Sequence, residues 1–488
     1  MKSREEKEQN RQIKEWKKAR RKRNRELYLC TAGFLVLFAV LFVYLTDYVT
    51  SNHEELFNNS YNSRQRVLAA QNRRGTIYSA DGEILAQTVT DEQGNETREY
   101  PFKEVFAHVV GYTAKGKTGI EELENYNLIN SDISEKDKID NELAGIKNPG
   151  NDVYATLDTK LQKIACDALG AYQGAIVVTE VKTGRILAMV SKPDYDPNNI
   201  AAIWDKVSTD TENAVLINRA TQGLYPPGST FKIVTALAYI RQNSDTWQSY
   251  SYLCNGTYVN GENKISCFHG SVHGSVNFME SLAKSCNCSF ANIGMSLDRG
   301  QFEDTINSLL FNQKLPIELP YNQTSVELSQ DSSDEDLIQT SIGQGKTQIS
   351  PMQLNMITAA IANEGTLMTP YLIDKVVSAE GKIIQKNSPS AYQQLLTKEE
   401  AQIMTTLLED VVKEGTARKL NDRSYTAAGK TGSAEFNQVK EDSHAWFTGF
   451  APVEDPEIAV TVIVEKIGSG GDYAVPLAGK VFDAYFSE

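Results

Sequence analysis

The 488 residues are 41 % hydrophobic and include only 14 prolines, material for a packed core and, by length, for roughly two to three domains. Without low complexity or internal repeats, a solenoid and a disordered scaffold are both excluded. The formal charge is −14, yet the first 26 residues carry twelve Lys or Arg against five Glu, leaving −21 on the rest; a nucleic-acid-binding arm would fit that tail alone, and the next segment excludes it.

From Leu27 to Thr46 the chain reads LYLCTAGFLVLFAVLFVYLT, uncharged throughout. At about 1.5 Å per residue this matches the roughly 30 Å hydrocarbon core of a bilayer, which predicts a transmembrane helix. A cleaved signal peptide would have a shorter apolar region, about 7–15 residues, and an A-x-A-like site; TDYVTSNHEEL follows instead. The expectation is an uncleaved, single-pass cell-membrane anchor at 27–46. The positive-inside rule makes residues 1–26 a cytoplasmic basic tail with some attraction to anionic lipid, and places the bulk of the chain outside the cytoplasm.

Residues 47–150 are polar with short apolar patches, among them RRGTIYSADGEILAQT. Asp81-Gly82 between two such patches predicts a hairpin. This stretch is expected to be a modest extracytoplasmic domain or stalk. Patterns strengthen from Val153. Leu157–Leu169 has the periodicity of an amphipathic helix, with Cys166 on its apolar face. GAIVVTE (174–180) and RILAMVS (185–191) predict two buried strands joined through Val181–Gly184. Cys254 and Cys267 flank a Gly/Asn-rich stretch that a disulfide could close in an oxidising compartment. His269 and His273 are spaced i, i+4 among glycines, with no Cys or carboxylate ligand pattern beside them, so no metal is expected. The acidic run Asp331–Asp336 is expected to be a solvated loop. YTAAGKTGSAEF, AWFTGFAP and IAVTVIVEKI predict three more strands, and VPLAGKVFDAYF a closing helix. Strands at both ends with helices between them predict an α+β domain over 151–488, an antiparallel sheet with flanking helices whose termini meet.

The chemistry concentrates in LYPPGSTFKIVTALAYI. Pro226-Pro227-Gly228 breaks the preceding segment, so Ser229 starts a helix and Lys232 lies one turn on, on the same face. Serine is a weak nucleophile until a base takes its proton, and a lysine of depressed pKa can be that base. S-x-x-K alone proves little: Ser281–Lys284 also matches it, and K-T-G occurs at Lys117–Gly119, Lys182–Gly184 and Lys430–Gly432. Context selects one set. Ser229-x-x-Lys232 precedes Ser285-Cys286-Asn287, which precedes Lys430-Thr431-Gly432-Ser433, and the last lies in a strand of small residues beside which a peptide could run. That order matches the acyl-enzyme signature of penicillin-binding proteins and β-lactamases.

With RRGTIYSADGEILA, TLDTKLQ, PPGSTFK, SCNCSF, SIGQGKTQISPMQL and AGKTGSAEF, the chain resembles the class B penicillin-binding proteins from about Arg73 to its end. The roughly 100 residues between the membrane segment and TLDTKLQ are too few for the glycosyltransferase domain of a class A enzyme. The resemblance implies a penicillin-binding, serine β-lactamase-like fold on a short pedestal, and a D,D-transpeptidase that crosslinks the stem pentapeptides of lipid-linked peptidoglycan strands. It implies Ser229 as nucleophile, Lys232 as base, Ser285 as proton relay and Asn287 as a holder of the substrate amide. Lys430 would keep Lys232 and Ser285 poised. Thr431 and Ser433 would bind the terminal carboxylate, with Gly432 between them, and the backbone N–H groups of Ser229 and Ser433 would form the oxyanion hole. It implies β-lactams as inhibitors, a SEDS-type glycosyltransferase as partner, no cofactor, no metal and no nucleic acid. Cys286 in the middle of S-x-N, with Cys288 beyond, and Ser433 where relatives often carry Thr are the departures. A β-lactamase would lack the pedestal and anchor, and a sensor would need a larger cytoplasmic part.

Overall fold

The computed structural model describes residues 3–51, 63–435 and 443–487; Met1, Lys2, stalk residues 52–62, residues 436–442, including Phe436 of the first C-terminal strand segment, and Glu488 lie outside them. The chain divides into two units, Met1–Val67 and Leu68–Glu488. In the first, helix α1 (Arg4–Ser51) runs unbroken through the expected span. Phe34, Phe38 and Phe42 on it are more than 60 % exposed, as apolar side chains intended for lipid must be in the protein alone. Among the described residues it is the one helix long and apolar enough to cross a membrane.

The first large sheet of the second unit is six-stranded. The predicted hairpin forms between β1 (Ile77–Tyr78) and β2 (Ile84–Thr90); Gly82 takes φ +87 in the turn, a conformation that a β-carbon disfavours. β3 (Glu96–Glu99) extends it on one side. Beside this sheet Glu121, fully buried, accepts from Arg74 (2.6 Å) and Arg98 (2.7 Å). On the other side β4 (Asp152–Ala155) lies parallel to β1, and Ile373–Val377 and Ile383–Lys386 complete the sheet. The expected cut at residue 150 therefore runs through a sheet. Its outer strands come from two hundred residues further on, a long-range pairing that no local pattern encodes.

The chain then forms α2 (Thr159–Leu169), capped by Asp158, whose carboxylate accepts from Leu161 N (2.7 Å). Next come β5 (Gly174–Glu180) and β6 (Ile186–Lys192), joined by the tight 181–184 turn as predicted. The middle contributes α3 (Lys232–Gln242) and four short strands: β7 (Ser251–Cys254), β8 (Thr257–Asn260), β9 (Asn263–Ser266) and β10 (Gly274–Asn277). Among the described residues β7 pairs only with β10, and β8 only with β9. α4 (Phe278–Ala283), α5 (Asn287–Ser296), α6 (Asp334–Ser341) and α7 (Pro351–Ala362) follow. The acidic run expected to be loop supplies the first turn of α6. Ser333 caps it by accepting from Asp336 N, and Asp334, Glu335 and Asp336 sit at the positive end of the helix dipole. The helix dipole stabilises the charges there while Asp334 and Glu335 stay exposed, so the run is solvated as expected but helical rather than loop.

β11 (Ala428–Glu435), β12 (Ser443–Ala451) and β13 (Ile458–Val464) return the chain to the main sheet, and α8 (Ala474–Phe486) closes it. The order β11-β12-β13-β5-β6 is antiparallel throughout, so the two ends of the domain meet at β13 and β5. Every residue of β12 and β13 is buried, which requires cover on both faces. α2 and α8 pack together on the sheet. α7 also covers it, and its buried Asn355 accepts from Thr179 (2.7 Å) and donates to Ala459 O (3.1 Å). β11 is left as an edge.

Candidate active site

The Pro226-Pro227-Gly228 break does what its composition requires. A short 3-10 turn, Gly228–Phe231, carries Ser229 into α3, which begins at Lys232. The turn is held from three sides. Trp446 of β12 donates its indole N–H to Pro226 O (3.1 Å), Thr230 donates to Pro227 O (2.8 Å), and Gly228 N donates to Gly343 O (2.9 Å). Gly228 has φ +53, and a β-carbon there would stand 3.0 Å from Ala434 Cα and Ser433 O. Only glycine lets the serine turn and β11 come this close.

Lys232 is fully buried. Its ammonium donates to Asn287 Oδ1 (2.7 Å), to Ser285 O (2.8 Å) and, at 3.4 Å, to Ser285 Oγ. Lys430, also fully buried, donates to Ser285 Oγ (2.9 Å) and Thr431 O (3.0 Å). Two lysines therefore meet at one hydroxyl. Burial pulls Lys232 down to about 8; burial, and then the charge of Lys232, hold Lys430 well below its ordinary value. Two ammonium groups sharing one acceptor away from water disfavour each other, so a neutral amine becomes accessible near physiological pH. Ser285 itself sits at φ +55, a left-handed conformation that costs a non-glycine residue roughly 1–2 kcal/mol. It links α4 to α5 and turns its hydroxyl toward both lysines.

The edge strand presents the remaining groups. Thr431 shares a hydrogen bond with the Thr416 hydroxyl (2.6 Å), and Ser433 Oγ accepts from Gly470 N (3.2 Å). Gly432 is as constrained as Gly228: a β-carbon would lie 2.9 Å from Pro227 O. Ser229, Ser285, Asn287, Thr431, Ser433 and Thr416 line one open cleft of about 730 Å³. Lys232 and Lys430 lie fully buried behind it and reach it through Ser285 Oγ. The sequence-chosen residues are thus brought together, with the partners of Lys232 being Ser285 and Asn287 rather than Ser229. Thr416, 15 positions before Thr431, carries no motif and was not foreseen; its only signal was the unremarkable GTAR string.

The decoys take no part in the lysine–serine cluster, although Lys284 lines the same cleft. Ser281 is buried against Asn277 O and Ser289, while Lys284 pairs with Glu280. Lys182 pairs with Asp455 at the β5–β6 turn. The pairing of Cys254 with Cys267, left open by the sequence, is not made, and the expectation that no Cys ligand accompanies the histidines is corrected. Cys254 and Cys267 are not bonded: their sulfurs stand 3.7 Å apart. His273 does have thiol company, since its Nδ1 is 3.6 Å from Cys254 Sγ. Cys286 turns away from the cleft, fully buried, with its sulfur 3.7 Å from that of Cys267. The sulfurs of Cys254, Cys267 and Cys286 and a ring nitrogen of His273 all lie within 4.8 Å of one another, a set able to hold a metal. Sequence spacing missed it because the ligands come from four separate segments rather than from a C-x-x-C pair.

Comparison with known proteins places this geometry. A family model described as the penicillin binding protein transpeptidase domain matches residues 174–483, and one described as the penicillin binding protein A dimerisation domain matches 74–153. The peptidoglycan D,D-transpeptidase PbpA of Mycolicibacterium smegmatis is 30 % identical over 454 residues, covering 87 % of this chain and 91 % of its own. Among solved structures, the D,D-transpeptidase domain of a peptidoglycan glycosyltransferase from Eggerthella lenta superposes with TM-score 0.76 at 31 % identity, over 86 % of this chain and 99 % of that one. Penicillin-binding protein A of M. tuberculosis, as its penicillin G acyl-enzyme complex, superposes with TM-score 0.75 at 28 % identity, over 85 % of this chain and 99 % of that one.

Proposed function

This chain belongs to the penicillin-binding protein transpeptidase family and is a peptidoglycan D,D-transpeptidase; on that premise we propose which of its residues perform the reaction. The observation that carries the assignment is the convergence of Lys232 and Lys430 on Ser285 Oγ (3.4 and 2.9 Å) in the cleft that Ser229 lines.

Ser229 Oγ attacks the carbonyl carbon of the D-Ala–D-Ala peptide bond, and its proton passes to neutral Lys232 Nζ. Ser285, held between the two lysines, hands a proton to the departing amine as the C–N bond breaks. D-Ala leaves, and the remaining stem peptide is held as an ester on Ser229. An amine from a neighbouring stem peptide then attacks the ester, forms the crosslinking amide and restores the serine. Asn287 holds the substrate amide. The hydroxyls of Thr431 and Ser433 receive the terminal carboxylate, whose charge Lys430 complements. The N–H groups of Ser229 and Ser433 receive the developing oxyanion. A β-lactam enters as a mimic, but its leaving amine stays tethered after ring opening, so the ester persists.

Around this centre, 1–26 serves as cytoplasmic tail, 27–46 as single-pass anchor, 47–150 as pedestal and 151–488 as catalytic domain, with strands 152–155, 373–377 and 383–386 of the latter completing the pedestal's sheet. The excess of Lys and Arg before the anchor supports that orientation. The anchor and pedestal receive a SEDS-type glycosyltransferase. In support, the pedestal helix Glu135–Ala144 and the residues after it expose Ile139, Leu143 and Ile146, at 57, 82 and 61 %. Photo-crosslinkers placed at these three positions should trap a polytopic polymerase; uniform failure to trap one in cells would remove the partner.

The assignment of the nucleophile is tested with full-length protein in detergent, a fluorescent penicillin and intact mass. One stable adduct on Ser229, absent from Ser229→Ala, is expected. An adduct that survives in the variant would move the nucleophile elsewhere.

A further inference from the structure

Cys254, Cys267, Cys286 and Cys288 are each at most 3 % exposed and all unbonded, and the reaction uses none of them. Three of the six edges among Cys254, Cys267, His273 and Cys286 have the length expected of metal ligands, and the other three lie within 4.8 Å. A tetrahedral zinc ion, with bonds of about 2.3 Å to sulfur and about 2.0–2.1 Å to nitrogen, has edges of about 3.8 Å between sulfurs and about 3.6 Å between sulfur and nitrogen. The pairs Cys254–Cys267 and Cys267–Cys286 are both at 3.7 Å, and Cys254 Sγ lies 3.6 Å from His273 Nδ1. A second feature points the same way: backbone N–H groups are aimed at two of the sulfurs, Gly256 N at Cys254 and Ser289 N at Cys286, each at 3.4 Å. Such donors suit a thiolate held as a ligand.

We propose that Cys254, Cys267, His273 and Cys286 bind one thiophilic divalent ion of the zinc class, and that this ion splints the turn presenting Ser285 and Asn287. The ligands tie together the end of β7, the segment after β9, the loop before β10 and the α4–α5 turn. Two-stranded pairs such as β7–β10 and β8–β9 are marginal by themselves; one ion fastens both to the α4–α5 turn. Cys286 is the residue between Ser285 and Asn287. Ser266, next to Cys267, accepts from Asn287 Nδ2 (3.1 Å). The ion thus grips the motif from within and from its neighbour. It explains how Ser285 keeps its left-handed backbone. Three thiols lose their protons to solvent on loading, and His273, partly buried on the cleft wall, gives the ion a way in. Cys288, with its sulfur 3.4 Å from that of Cys267, stands outside the four. A hard ion would prefer oxygen ligands. A Cys254–Cys267 disulfide would need the sulfurs at about 2.05 Å and would strand Cys286 and His273.

The test uses the full-length protein in detergent, purified with reductant and dialysed against zinc and then metal-free buffer. Elemental analysis should give about one zinc per chain. Replacement by cobalt should give the visible absorption of tetrahedral thiolate coordination. His273→Gln and Cys254→Ser should each lose the metal, while penicillin acylation falls roughly tenfold or more. The metal readings stand whatever the role of Ser229. A folded protein that acylates at full rate with well under one-tenth of a zinc per chain would overturn the proposal, as would a non-reduced mass two daltons lower that maps to a Cys254–Cys267 disulfide.

Discussion

Ser285 carries two burdens that two substitutions separate. Its hydroxyl joins Lys232 to Lys430, and its backbone stands at φ +55. Ser285→Ala and Ser285→Gly both delete the hydroxyl and leave the buried Lys430 ammonium with Thr431 O as its remaining partner. A buried donor losing an acceptor costs about 1–3 kcal/mol. Alanine keeps the left-handed strain, whereas glycine relieves about 1 kcal/mol of it. Across roughly 420 residues, with an unfolding entropy of about 2.1 cal/mol/K per residue, 1 kcal/mol shifts Tm by about 1 °C. Both variants should therefore melt below the parent, with glycine about 1 °C above alanine and a matching order of urea midpoints. Acylation by penicillin, followed by stopped-flow fluorescence, should fall about 10²–10⁴-fold in both, the usual contribution of a positioned proton-transfer group. An alanine variant that acylates at the parent rate would refute the relay. Equal stabilities for the two would refute the strain.

The remaining expectations follow from the same contacts. Acylation should accelerate with rising pH and level off above about 8, where Lys232 becomes neutral; a rate that falls over that range would remove Lys232 as base. Thr416→Val deletes the partner of the Thr431 hydroxyl and should slow acylation roughly tenfold with Tm nearly unchanged, about 1.4 kcal/mol in the transition state. Glu121→Ala leaves Arg74 and Arg98 buried and unpaired and should cost about 3–5 kcal/mol in urea unfolding. Burial raises the Glu121 pKa, but the two guanidinium groups outweigh it and hold the carboxyl below its ordinary value. Its contribution is thus present above the unfolded carboxyl pKa and lost as pH falls through the folded one, so the parent's stability should decline on acidification more steeply than the variant's.

Much of the catalytic half was legible because its determinants are local. The strands at 174–180 and 458–464 appear within a residue or two of their apolar runs. The Pro-Pro-Gly break sets Ser229 in the 3-10 turn that leads into α3, and the small residues of β11 announce a strand that must pass close to something. What escaped depends on distance in the chain. The strands at 373–386 complete a sheet begun at residue 77, a pairing without any local mark. The Asp334–Asp336 turn is helical because Ser333 caps it, so charge density misled where a cap residue should have decided. The thiol–histidine group assembles from positions 254, 267, 273 and 286; spacings so long imitate scattered core cysteines.

The strand bearing Lys430, Thr431 and Ser433 lies at the rim of its sheet, with one row of peptide groups facing the cleft rather than a sixth strand. Whatever binds there can be recognised through its own amides, which are the same in every peptide and in every drug that imitates one. Recognition of this kind is blind to most side-chain variation in the ligand. Mutations within the strand are therefore a poor route of escape from an inhibitor, because the groups that seize the drug are those that seize the wall. Selection for resistance should act instead on the approaches: the residues around Thr416 and the loop carrying His273, which line the cleft away from that strand.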